Sequence, residues 1–127
     1  NTTFEKLWEM RAGAGIQSLV PFGDSVFLTS NDNFVYLLKK SDGDIRWRFR
    51  TGGRSLGVKL EFESKIYFFI GEIAGGSLFL LDSAGRRLSE ISLESEEMVR
   101  SIHVSGPDRV VVASNSRVVE YALGGCK

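Results

Sequence analysis

Few residues in this 127-residue chain are of a type and spacing that could do chemistry. His103 is the sole histidine, so a histidine-based metal cluster is out of reach and a serine or cysteine triad would rest on that one imidazole. Cys126 is the sole cysteine, in a Gly124-Gly125-Cys126-Lys127 tail. It admits no intrachain disulfide and no cysteine-rich zinc site, and it reads as a tail thiol, with an intermolecular disulfide as the other reading. Asn31-Asp32-Asn33 and Asp42-Gly43-Asp44 are the two clusters with oxygen ligands that suggest calcium. Neither has the spaced acidic ligands and closing glutamate of a calcium loop, and Asn, Asp and Gly are turn residues, so capping of loops is the expected role. The glycine-bearing stretches 50–54 and 71–76 lack the strand-to-helix setting of a phosphate site and read as connections. Glu94-Ser95-Glu96-Glu97 reads as a solvated polar loop. The residues therefore predict no catalytic, cofactor-binding or metal-binding site and no enzymatic activity.

Composition narrows the partners in the same direction. Sixteen basic residues balance sixteen acidic ones, so no global field draws the chain to nucleic acid or to an anionic membrane. A 43% hydrophobic and 25% charged composition is that of one soluble domain with a core. The longest apolar runs fall far short of the roughly 20 residues needed to cross a bilayer, and no basic-then-apolar leader opens the chain, so membrane insertion is not expected. A start at Asn1 rather than methionine fits either a processed mature chain or a piece of something longer.

Stepping along the chain, short apolar runs alternate with turn signals. Residues 7–11 read as a first strand, followed by strands at 16–20, 26–29 and 34–38, with Asn31-Asp32-Asn33 as one turn. Ser41-Asp42-Gly43-Asp44 then turns the chain into an alternating strand, Arg46-Trp47-Arg48-Phe49-Arg50, which completes a hairpin. After Gly52-Gly53 the order starts again. Strands at 56–60, 66–70 and 78–81 repeat it, with 66–70 matched to 26–30, and a strand within 86–93 follows. A third round runs through 99–104, the turn Gly106-Pro107-Asp108, 110–113 and 118–122. Trp8 and Trp47 occupy equivalent outer strands, which sets the period at about 40 residues.

About twelve short strands without helical periodicity predict an all-β fold of four-stranded antiparallel repeats. Ile66-Tyr67-Phe68-Phe69-Ile70 is apolar on both faces, as a strand between stacked sheets must be, whereas the strand of Trp47 alternates and is peripheral. These are features of β-propeller blades. We read residues 1–127 as one domain with repeats 14–53, 54–96 and 97–123, and residues 5–11 as an outer closing strand.

The segment Tyr36-Leu37-Leu38-Lys39-Lys40-Ser41-Asp42-Gly43-Asp44-Ile45-Arg46-Trp47 resembles the quinoprotein-like (PQQ-like) propeller repeat, whose pattern is approximately Y-A-L-D-A-x-T-G-x-x-x-W. Tyr36, Gly43 and Trp47 fall in place, and Lys39 replaces the aspartate of the pattern. Phe79-Leu80-Leu81-Asp82-Ser83-Ala84-Gly85 is similar and keeps the aspartate as Asp82, with a polar residue near Ser89 at the tryptophan position. The resemblance implies structural roles for Trp8, Trp47, Gly43, Gly85 and Asp82, and a periplasmic, lumenal or secreted setting. Quinone-dependent dehydrogenases of this class close a full ring around cofactor and calcium and often carry an adjacent cysteine pair; one cysteine and three blades fit poorly.

Function is accordingly expected to be non-catalytic binding or scaffolding, with protein or ligand held by loops at one end of the sheets. The alternatives are a fragment of a quinone-dependent dehydrogenase or of a lumenal or periplasmic sensor domain. The two ends of the chain read as complementary, so two copies are expected to form a six-bladed ring unless the chain is part of a larger propeller.

Overall fold

Turn chemistry cuts the chain into eleven strands, and the computed structural model, which describes residues 2–74 and 76–124, contains no helix among them. Asn1, Gly75, Gly125, Cys126 and Lys127 lie outside the described residues, and the tail thiol lies there with them. The first sheet holds β1 (Ile16–Phe22), β2 (Ser25–Ser30), β3 (Phe34–Lys39) and β4 (Ile45–Arg50). The second holds β5 (Ser55–Phe62), β6 (Lys65–Glu72), β7 (Ser77–Asp82) and β8 (Arg87–Ser92). The third holds β9 (Val99–Gly106), β10 (Arg109–Ser114) and β11 (Val118–Ala122). Every sheet is an antiparallel meander in chain order, as two-residue and short loops between neighbouring strands require.

The sheets stack face to face, which explains why their middle strands carry apolar residues on both sides. All six residues of β2 are buried, and β6 is buried from Phe68 to its end. β4 alternates between half-buried and exposed, and β8 is exposed throughout. Between the first and second sheets, Phe27, Val35 and Leu37 meet Phe68, Ile70, Phe79 and Leu81, with the Phe27 and Phe68 rings stacked at 4.4 Å. Between the second and third, Leu60, Phe69 and Leu78 meet Val99, Ile102, Val110 and Val112.

Close approach at the first junction depends on Gly57. A Cβ there would lie 2.8 Å from Phe27 Cε2 and 3.1 Å from Thr29 Cγ2. The same junction contains a small polar chain: the Ser18 and Thr29 hydroxyls are hydrogen-bonded at 2.6 Å, and the Gly57 amide donates to Ser18 Oγ at 3.3 Å.

Two expectations are corrected. Residues 5–11 form no strand, and the third sheet holds β9, β10 and β11 among the described residues, with no outer strand beside β11. A strand requires a ladder partner, and this segment pairs with none in its own chain: it lies on the far side of the first sheet, where Trp8 and Met10 cover Val26, Leu28, Tyr36 and Leu38. The second correction concerns the match of 66–70 to 26–30. Ser25 pairs with Lys39 as Tyr67 pairs with Asp82, and the β5–β6 hairpin runs on beyond Tyr67 to the Phe62–Lys65 pair. Phe69 therefore corresponds to Phe27; the slip is even-numbered, so each side chain keeps its expected face.

Candidate functional site

The expected structural residues come together in two copies of one arrangement. After β3 the chain turns through Gly43 at φ 79°, and after β7 through Gly85 at φ 83°, a conformation open to glycine without a Cβ penalty. Removal of the side chain also lets an indole lie against the backbone. A Cβ on Gly43 would stand 2.5 Å from Trp8 Cε3, and one on Gly85 would stand 2.6 Å from Trp47 Cδ2. Each indole N–H donates to a carbonyl of the turn it covers: Trp8 to Lys40 at 2.7 Å, Trp47 to Ser83 at 2.9 Å. Trp47 also meets Phe68 edge-on at 5.5 Å, so it links β4 of one sheet to the core of the next.

Asp82 fixes the second turn. Its Oδ1 accepts the amides of Ala84 and Arg86, both at 2.9 Å, and its Oδ2 pairs with Arg86 Nε at 3.0 Å. Partial burial pushes the carboxyl upward, but the Arg86 and Ala84 amides and the Arg86 guanidinium outweigh it and hold it below the usual range. In the first turn, where Lys39 stands at the corresponding place, Asp42 Oδ1 accepts the Asp44 amide at 2.9 Å instead. The neighbouring cluster also caps: Asp32 accepts the amides of Gly13 at 3.0 Å and Phe34 at 3.1 Å, and the Tyr36 hydroxyl. Burial and Asp32 push the Tyr36 phenol up to about 12. Among the described residues no group of three or more His, Cys, Asp or Glu is placed to hold a metal ion. His103 sits exposed on β9 opposite Val111.

Two carboxylates escaped the sequence reading. Glu72, 6% exposed, accepts the amides of Gly52 and of Ser77, the latter at 2.7 Å, and so joins the two glycine-bearing connections. Gly76 is required beside it, because a Cβ there would strike the carboxylate. Glu97, expected in a solvated loop, is 4% exposed. A turn in which the Glu97 amide donates to Glu94 O at 3.1 Å directs its side chain inward, where Arg117 Nε and Ser114 Oγ each donate at 2.8 Å. These bonds hold its carboxyl down at about 2. Neither partner is near in sequence, which is why a run of acidic residues looked merely soluble.

Ladder register carries the comparison to the third sheet. Leu37 faces Trp47 across β3–β4, and Leu80 faces Ser89 across β7–β8, with a bulge one step later in both. Ser89 thus stands where a third tryptophan would. Lys39, Asp82 and Ala122 pair with Ser25, Tyr67 and Arg109, so the next residues, Lys40, Ser83 and Leu123, share one position. Matching amide bonds agree: Lys40 N donates to Asp24 O at 2.8 Å and Leu123 N to Asp108 O at 2.7 Å.

No protein-family model and no curated protein matches the sequence. Among solved structures the chain is similar to the computationally designed protein Ika8, with a TM-score of 0.70 and 15% identity over 91% of this chain and 36% of that one. It is also similar to the C-terminal WD40 domain of Sif2, with a TM-score of 0.69 and 16% identity over 89% of this chain and 33% of that one. The chain therefore spans about a third of the length of each. WD40 repeats are propeller blades, and likeness at this level of identity speaks to fold. The three stacked meanders are blades of a β-propeller-like repeat.

Proposed function

We propose that this chain is a non-catalytic propeller module for binding and assembly, and that two copies close a six-bladed ring. One observation carries the proposal: Trp8 makes on the first blade the same contacts that Trp47 makes on the second, although residues 2–12 pair with no strand of their own chain. Trp47 reaches its neighbour from an outer strand, β4, so the segment of Trp8 occupies the place of an outer strand whose own blade is elsewhere. β11 ends the third blade with no fourth strand beside it among the described residues. Exchange of residues 5–11 between two copies would complete both third blades and give a closed, isologous assembly within the usual four to eight blades. It would also cover the third blade's outer face, where Val118 is 71% exposed.

The glycine turn under each indole supports the quinoprotein-like variety of blade within the broader propeller class. In this reading the loops at one end of the ring hold a protein or small ligand. A second reading, an arc of a longer single-chain propeller, is favoured by the third-length span on its structural neighbours. A dehydrogenase or sensor fragment belongs to that second reading, and tight calcium or quinone binding would mark the enzymatic form of it.

Light scattering tests the ring. The expected mass at low micromolar concentration is twice the 14.1 kDa of one chain, falling to one chain when residues 1–11 are deleted. A stable monomer would rule out the paired ring, and a deletion that leaves the dimer intact would rule out strand exchange as its basis.

A further inference from the structure

We infer that the groove between the second and third blades is a binding site for an indole side chain carried by a partner polypeptide. The first junction shows how this fold houses an indole. There Trp47 lies against Phe27 of its own blade and Phe68 of the next, and donates to Ser83 O. By ladder register the corresponding positions at the second junction are Ser89, Phe69, Val110 and Leu123. Two aromatics are thus replaced by a serine and a valine, while the aromatic floor and the acceptor carbonyl are kept.

The space is there. A cavity of about 200 Å³ is bounded by Phe69, Ser89, Val110, Tyr121 and Leu123, which are the corresponding positions just named together with one further ring. The Phe69 and Tyr121 rings lie 6.0 Å apart and form an aromatic wall. An apolar cavity of ~150 Å³ is enough to take benzene, so this one has room for a larger flat ring. A wider groove of about 560 Å³ shares Leu80, Ser89 and Leu123 with it and opens toward Leu88, which is 53% exposed, giving a chain that presents the indole a way in.

An indole is favoured over an aliphatic side chain for a reason internal to the molecule. At both other positions of this type the acceptor carbonyl, Lys40 O or Ser83 O, receives an indole N–H. Leu123 O is the third member of that set, and among the described residues it accepts no hydrogen bond. The site lies within one chain, so it does not rest on the two-chain ring.

The test uses N-acetyltryptophanamide titrated into the intact, isotopically labelled protein. The expected result is saturable shifts of the Ser89, Val110 and Tyr121 amides, with those of Gly43 and Gly85 unmoved. The leucine amide should bind at least about tenfold more weakly. The benzothienyl analogue, which lacks the N–H, should bind up to about tenfold more weakly, the worth of one hydrogen bond. Ser89→Trp places the chain's own indole in the groove and should raise Tm while abolishing binding. Ser89→Ala should retain it. A short peptide with a central tryptophan should bind at least as well as the amide. No saturable shift into the millimolar range, undiminished binding by Ser89→Trp, or equal binding of the leucine amide would overturn the site. Exclusion of the peptide while the amide binds would overturn the polypeptide partner.

Discussion

If the indole of Trp47 and the bare backbone of Gly85 act as one unit, their substitutions must fail to add. Trp→Ala in a core costs about 3–5 kcal/mol, and because Trp47 is half-buried the lower end applies, about 3 kcal/mol. Gly85→Ala has two separable costs. An L-residue at φ 83° loses about 1–2 kcal/mol to backbone strain whatever lies nearby. In addition the new Cβ, 2.6 Å from Trp47 Cδ2 and 2.8 Å from Cε3, forces the ring away from its contact with Phe68 and its 2.9 Å bond to Ser83 O. Loss of that hydrogen bond and edge contact adds about 1–2 kcal/mol. In a Trp47→Ala background the second cost disappears and the first stays. The double mutant should therefore be about 1–2 kcal/mol more stable than the sum of the single changes. Urea unfolding followed by far-ultraviolet circular dichroism reads this without relying on the fluorophore removed. Additivity within about 0.5 kcal/mol would refute the reasoning, since that is the behaviour of sites that do not touch.

Other outcomes follow from individual groups. Glu97 has its folded pKa depressed from 4.5 to about 2 by Arg117 and Ser114, so it contributes stability above pH 4.5 that is lost as pH falls toward 2. Tm should drop over that window, and Glu97→Gln should flatten the drop; an unchanged slope would show that the pair is not formed. Gly57→Ala forces a methyl against Phe27 and Thr29 and should cost about 1–3 kcal/mol as overpacking, read by the same urea unfolding. A neutral effect would mean that the first two blades are not held this close.

Much of the blade pattern could be read before any coordinates. Hydrophobic runs such as Phe34-Val35-Tyr36-Leu37-Leu38 and the turn residues beside them are local signals, and a meander of neighbouring strands needs little else. Gly43 was legible as a turn residue for the same reason, while Gly85 and Asp82 stood out through the repeat pattern, which did not show that the Asp82 carboxylate binds the Ala84 and Arg86 amides. Asp32 of the Asn31-Asp32-Asn33 cluster likewise caps its own turn through the Phe34 amide, and adds the distant Gly13 amide, which no local pattern foretells.

What sequence by itself determined is the strands from residue 16 onward, their order, and the even alternation that sends each side chain to one face or the other. Tertiary structure alone decided which residues meet across sheets. Glu97 finds Arg117 and Glu72 finds the Gly52 amide only because different loops converge at one end of the blades, and no local pattern encodes that distance. The fate of residues 5–11 was decided in the same way. Their alternation suits a strand, but a strand exists only where it has a ladder partner, and within one chain the segment has its indole docked and its backbone unpaired. The groove at Ser89 is shared between the two: the repeat pattern already puts a polar residue near Ser89 at the tryptophan position, but the cavity beside it, bounded by Phe69, Val110 and Tyr121, exists only because the second and third sheets stack.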